Sequence, residues 1–208
     1  GLNNSKAVGK VAVAGATAVS NLMIDIRQKL TELANSSITA SQRTIIQRDF
    51  TELVSQAANF VSNATYNGFA LLTSGAATVN TLANLAGGQL SLTAQGNVKL
   101  FINSLAGATT TTAANAQSVI VGQFNDLETS VAQALGTLGA EVRALDLQTG
   151  FLEELRDTTS VGLGNIVDAD LARESAKLTS QQIQQELSVQ TLSIANTRPN
   201  TILSLFRG

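Results

Sequence analysis

Asp168 and Asp170, followed within a few residues by Glu174, come closest in this chain to a reacting constellation. Paired carboxylates act as acid and base, or hold a cation, when a base, nucleophile or further ligand completes them. Nothing of that kind accompanies these three. Acids at the start of a helix are explained by capping and by the positive end of the helix dipole. Glu153, Glu154 and Asp157 form a second acidic cluster, for which a solvated helix face is sufficient. Gly162-Leu163-Gly164-Asn165 is glycine-rich ahead of a helical stretch. It lacks the preceding strand and the Lys of a phosphate loop, so a tight turn between helices explains it. The sequons Asn3-Asn4-Ser5, Asn35-Ser36-Ser37 and Asn63-Ala64-Thr65 matter only on a glycosylating route. The hydroxyls of Thr109–Thr112 offer sites for sugars, but their low-complexity surroundings read as a linker. Arg198 and Arg207 stand singly near an apolar C-terminus and read as solvated charges.

The absences are as informative. The 208 residues include no His, Cys or Trp. The usual ligands of zinc, haem and iron–sulfur sites are therefore missing, as are thiol and imidazole catalysts. No enzyme emerges and no cofactor is called for. Only 13% of residues are charged and 44% are apolar, against about 25% charged in an average soluble chain. Such a weakly charged surface suits a subunit buried against copies of itself. The net charge is −2 and the basic residues Lys6, Lys10, Arg27, Lys29, Arg43 and Arg48 are scattered singly, which argues against a nucleic-acid partner. No run approaches the roughly 18 apolar residues of a membrane span, and the start lacks the charged and apolar regions of a signal peptide. A membrane partner is not expected. The start shows no initiator Met, which suggests a fragment or a processed form.

These residues must be carried by long helices. From about Asn4 to Asn35, Val8, Ala12, Gly15, Val19, Leu22, Ile26, Lys29 and Leu33 recur at spacings of four and three, the period of helices packed lengthwise. Small residues in its first half permit close helix approach. Asn35-Ser36-Ser37-Ile38-Thr39 breaks the pattern, and Thr39 or Ser41 is the candidate cap of a second helix with Ile46, Leu53, Ala57 and Phe60 on one face. That helix ends near the turn signal Tyr66-Asn67-Gly68. Leu90, Leu92 and Ala94 alternate, and Val98, Leu100 and Ile102 answer them across Gln95-Gly96-Asn97, predicting a β-hairpin. Residues 106–116 read as a linker. Phe124, Val131, Leu138, Leu145 and Leu152 then fall every seven residues, supported by Leu127, Leu135, Val142 and Leu155. The glycines of 160–170 are expected to interrupt this stripe, with Asp168 or Asp170 opening a last helix that Pro199 interrupts. Its apolar set is Leu171, Leu178, Ile183, Leu187, Leu192 and Ile194 on a Gln- and Ser-rich surface, followed by Ile202, Leu203, Leu205 and Phe206. The expected fold is mainly α: an antiparallel bundle of long, coiled-coil-like helices, a rod, with a small β-hairpin insert.

Two stretches and the order of elements resemble bacterial flagellin, the subunit of the flagellar filament. The stretch GNIVDADLARESAKLTSQQIQQELSVQTLSIANTRPNTILSLFR is similar to the family's terminal signature. It carries the D-A-D opening, the A-x-E-S helix start, the Gln-rich helix, the Ala-Asn pair and the I-L-x-L-x-R type of ending. KLTELANSS and the aromatic–Asn–Gly closing at Tyr66-Asn67-Gly68 match as well. The resemblance implies an inverted hairpin with both termini in the filament core. It divides the chain into N-terminal core helices (1–68), a variable outer insert (69–116), a C-terminal core helix (117–160) and a loop with the inner-core helix (161–208). It also implies that the ten apolar residues from Leu171 to Phe206 named above meet neighbouring subunits. A homo-oligomer, hook-associated proteins and an export chaperone are the implied partners, and the extracellular flagellum is the implied location, reached by secretion.

Two departures carry expectations of their own. A complete family member begins with an inner helix and spoke that are not seen before Gly1, so this chain should assemble poorly alone. Flagellins that activate the animal innate receptor carry Arg-x-Arg-Glu-Leu-Ala, where this chain has Lys29-Leu30-Thr31-Glu32-Leu33-Ala34. Lys29, Glu32 and Leu33 keep part of the motif, but a Thr31 hydroxyl cannot replace a forked guanidinium, so weak or absent activation is expected. The alternatives are a hook-associated junction protein, or a surface binding module or adhesin using Phe69, Lys99 and Phe101 of the 69–116 insert.

Overall fold

The computed structural model describes the backbone of residues 1–206 and the side chains of residues 1–196. Helix α1 spans Leu2–Leu33, α2 Ala40–Asn63, α3 Asn97–Ala106, α4 Ala113–Val119 and α5 Asn125–Phe206, with strands β1 (Val79–Leu82) and β2 (Gln89–Leu92) between α2 and α3. A single π turn, Ile120–Phe124, joins α4 to α5. The described chain divides into two units, Gly1–Phe151 and the segment from Leu152 onward.

In the first unit α1 is the central element. Its buried positions Val8, Ala12, Ala16, Val19, Met23, Ile26, Leu30 and Leu33 repeat at spacings of three and four, and they share one core with buried residues of α2 and α5. Ion pairs show that α5 runs antiparallel to it, and the Lys29–Asp49 pair together with the Gly15–Ala64 approach shows the same for α2. Lys6 pairs with Asp146 at 2.7 Å and Arg27 pairs with Glu128, so positions on α5 fall as those on α1 rise. Lys29 meets Asp49 on α2 at 3.4 Å. The small residues of α1 set how closely the helices approach. A Cβ on Gly15 would lie 2.5 Å from that of Ala64, and one on Gly9 would lie 2.5 Å from Val142 Cγ2.

Helix α1 corrects one expectation. By length and composition it is long and apolar enough to cross a membrane. The reason is the uncharged Ala- and Val-rich stretch between Lys10 and Asp25, and that stretch supplies core positions of the first unit.

Thr39 is the cap of α2. Its hydroxyl accepts the Gln42 backbone N–H while the Gln42 side chain accepts from the Thr39 N–H at 2.9 Å, a reciprocal capping box. Arg43 then reaches back to donate to the carbonyls of Leu33 and Asn35 at the end of α1. The fully buried face of α2 is Phe50, Val54, Ala57 and Val61. Of the expected face only Ala57 is fully buried, while Ile46, Leu53 and Phe60 flank it half-buried.

The hairpin exists, with different partners. β1 pairs antiparallel with β2 from Val79–Leu92 to Leu82–Gln89. The expected second strand, Val98 to Ile102, lies in α3, where Val98, Ile102 and Leu105 are buried at helical spacing. Residues 106–116 are not wholly a linker either. Thr112 caps α4, Thr111 accepts from the Asn115 side chain, and buried Thr110 accepts from Gln47.

The heptad stripe is buried from Phe124 through Leu145 and includes Ala134, with Leu135 half-buried. It does not stop at the glycines. Helix α5 continues unbroken through Gly162, Gly164 and Pro199 to Phe206, correcting the expected loop at 160–170 and the expected interruption at Pro199. Each glycine costs a helix about 1 kcal/mol, and the stronger helix formers lie further out on either side, at Leu152–Arg156 and Leu171–Leu178. Neither glycine adopts a positive φ.

Candidate functional site

Asp168, Asp170 and Glu174 lie in the interior of α5, exposed, and cap nothing. Lys177 pairs with Glu174 at 3.8 Å. Among the described residues no group of acids is arranged to hold a metal ion. Two clefts mark the first unit. One of about 370 Å³ between α1 and α5 is lined by Met23, Ile24, Arg27, Phe124, Glu128 and Leu135 among others. The Arg27 guanidinium stacks 5.0 Å over the Phe124 ring there. The other, along α1 and α2, is polar and includes Asp25, Lys29, Asp49 and Glu52. Neither brings a nucleophile to a base.

Lys29, Glu32 and Leu33 are engaged inside the first unit. Lys29 lies 3.3 Å from Glu32 and 3.4 Å from Asp49. The hydrogen bond to Glu32 leads in raising the ammonium pKa above its usual value. Leu33 is fully buried and the Thr31 hydroxyl donates to the Arg27 carbonyl at 2.8 Å. In the insert, Lys99 is spent on the end of α2, donating to the Ala58 carbonyl at 3.1 Å and the Ser62 hydroxyl at 2.9 Å. Phe101 is half-buried, and Phe69 is exposed. The hairpin is tied to the helices at several points. Ser5 bonds Thr81, Gln148 donates to the Ala83 carbonyl at 2.8 Å, and the Glu141 carboxylate accepts the Thr93 N–H and hydroxyl.

The second unit presents the opposite situation. Leu171, Leu178, Ile183, Leu187, Leu192 and Ile194 are between 52% and 69% exposed. At about 100° per residue, Leu171, Leu178 and Leu192 share one sector, while Ile183, Leu187 and Ile194 lie nearly opposite. The first ribbon is longer than expected. Leu163, Val167 and Val189, also exposed, fall in the same sector of about 80°. Sequence reasoning missed Leu163 and Val167 because it placed a loop across 160–170, and it left Val189 out of the apolar set of the helix it did expect. Had the helix been continued, the spacing of four from Leu163 to Val167 to Leu171 would have found two of them. Ile202, Leu203, Leu205, Phe206, Arg198 and Arg207 lie outside the described side chains. A helix that is apolar on opposite faces stays in water only at a cost, because one neighbour cannot cover both.

The comparisons agree with this geometry. Residues 121–206 match the family model for the bacterial flagellin C-terminal helical region. Flagellin FljM of Caulobacter vibrioides is 34% identical over 197 residues, covering 95% of this chain and 72% of that protein. The chain belongs to the bacterial flagellin family. A flagellin of Brucella melitensis is 33% identical over 195 residues, covering 88% of this chain and 68% of its own. The crystal structure of Bacillus cereus flagellin shares the fold, with a TM-score of 0.62 at 17% identity over 70% of this chain and 84% of that one. The chain is thus a structural subunit of the bacterial flagellar filament that assembles with copies of itself, and the junction-protein and binding-module alternatives are not favoured. The mainly helical fold with a small antiparallel hairpin is the one expected from sequence.

Proposed function

We propose that the two apolar ribbons of α5 beyond Leu152 are the surfaces by which this flagellin enters the filament. Leu171, Leu178, Ile183, Leu187, Leu192 and Ile194, with Ile202, Leu203, Leu205 and Phe206, are the contact residues. The observation that carries this reading is the pair of opposed, exposed apolar ribbons on one helix, which calls for neighbours on two sides. Covering a Leu or Ile side chain fully contributes about 1.5–3 kcal/mol, and a half-exposed one about half of that. The Gln- and Ser-rich positions between them add hydrogen-bonding groups with little charge to desolvate.

In this reading residues 1–68 and 117–160 form the outer core helices and 69–116 the outward-facing insert. Residues 161–208 form the inner part. The subunit is secreted unfolded with an export chaperone, meets hook-associated proteins at the filament's ends, and performs no catalysis. The absence of Cys supports that route, since no disulfide has to be opened before export. Activation of the animal receptor is weak or absent, because Thr31 stands where a guanidinium is required. A reporter-cell assay checks this: a full response at low concentration contradicts it.

Hydrogen exchange tests the interface directly. Amides of residues 152–196 should exchange fast in the free chain and become protected when the chain is incorporated into filaments. Unchanged exchange on incorporation would overturn the assignment.

A further inference from the structure

The chain has one Asn followed by Gly, at Asn67-Gly68, and its surroundings leave that pair open to reaction. Beyond α2, Tyr66 and Phe69 exchange both backbone hydrogen bonds, at 3.0 and 2.9 Å. Asn67 and Gly68 bridge them at φ values of 50° and 80°, the two-residue turn that Asn-Gly favours. The Gly68 N–H points to no acceptor in this turn. Nothing lies within 4 Å of the place where a Gly68 Cβ would stand. Asn67 is exposed, and its carboxamide makes one contact, donating to Asn4 Oδ1 at 3.5 Å, the far limit of a hydrogen bond.

We propose that Asn67 is a spontaneous modification site, converting through a cyclic imide to aspartate and isoaspartate. The Gly68 backbone nitrogen gives its proton to water or hydroxide and bonds to Asn67 Cγ. The Cγ–N bond of the side chain breaks and ammonia leaves. Water then opens the five-membered imide at either carbonyl, so amide and water become acid and ammonia. Closure requires Asn67 to leave its turn conformation. The gate is the Tyr66–Phe69 bridge, two hydrogen bonds at an exposed position, and such local openings lie at the low end of a fold's free-energy range. The aspartyl product places its new charge beside Asn4 in the first turn of α1, where the helix dipole favours an anion. The isoaspartyl product lengthens the main chain by one carbon and takes Phe69 out of register with Tyr66.

The test is peptide mapping of the intact chain after incubation at mildly alkaline pH, with Asn35-Ser36 and Asn103-Ser104 as internal controls. Conversion at Asn67 should be about tenfold faster than at either control, a barrier lower by about 1.4 kcal/mol, with isoaspartate among the products. Conversion at Asn35 or Asn103 first, conversion without isoaspartate, or an intact Asn67 throughout would each overturn the proposal.

Discussion

At the scale of single residues, the same substitution should have opposite signs at two glycines. Gly15 of α1 faces the backbone-bound Cβ of Ala64 and Leu72 Cδ1, so Gly15→Ala must push α2 outward. It should destabilise the monomer by about 1–3 kcal/mol, read by urea titration. Gly136 of α5 has nothing within 4 Å of its would-be Cβ, so Gly136→Ala should stabilise the monomer by up to about 1 kcal/mol. The Lys6–Asp146 pair carries a pH dependence. The hydrogen bond from Lys6 holds the Asp146 carboxyl below its usual range. A group with a depressed folded pKa contributes stability above its unfolded pKa, and that contribution is lost as pH falls through its folded one. The stability difference between the natural chain and Asp146→Asn should therefore be present at neutral pH and decline progressively as pH falls below about 4. A difference unchanged at pH 2 would exclude the pair as its cause.

At the scale of elements, what was legible followed the strength of the local pattern. The length of α1 and the Thr39 cap could be read because a long run of one period ends at a Thr with Gln three residues on. The hairpin could not be paired correctly. Val98, Leu100 and Ile102 alternate like a strand, yet Val98, Ile102 and Leu105 also step like a helix, and short apolar runs are ambiguous between the two. The true partner strand, Val79–Leu82, was hidden because the residue it buries is Thr81. The α2 face was read about one residue out of rotation, since Ile46, Leu53 and Phe60 are as apolar as the residues actually buried. The surface of α5 was legible in residue type. Its extension to Leu163 and Val167 was not, because two glycines among Thr, Ser and Asn read as a turn, whereas each costs a helix only about 1 kcal/mol. Two outcomes belong to this scale. Thr39→Ala, which removes the hydroxyl that accepts the Gln42 N–H, should cost about 1 kcal/mol of thermal stability. Leu178→Asp should leave the melting temperature unchanged, because that side chain is 54% exposed.

At the scale of the whole molecule, the chain combines a unit that buries its apolar residues with a helix that leaves them exposed. Gly1–Phe151 holds the buried core from Val8 to Leu145, so residues 1–151 alone should fold cooperatively with the thermal transition of the full chain. The exposed ribbons of α5 then contribute to assembly and not to the monomer. The most direct test is seeded growth on sheared flagellar filaments, viewed by negative-stain electron microscopy. An N-terminally extended chain would be compared with the same chain carrying Leu178→Asp, Leu187→Asp and Leu192→Asp. The account predicts filaments from the first and none from the second, with equal melting temperatures for the two monomers. Normal filaments from the substituted chain would contradict it.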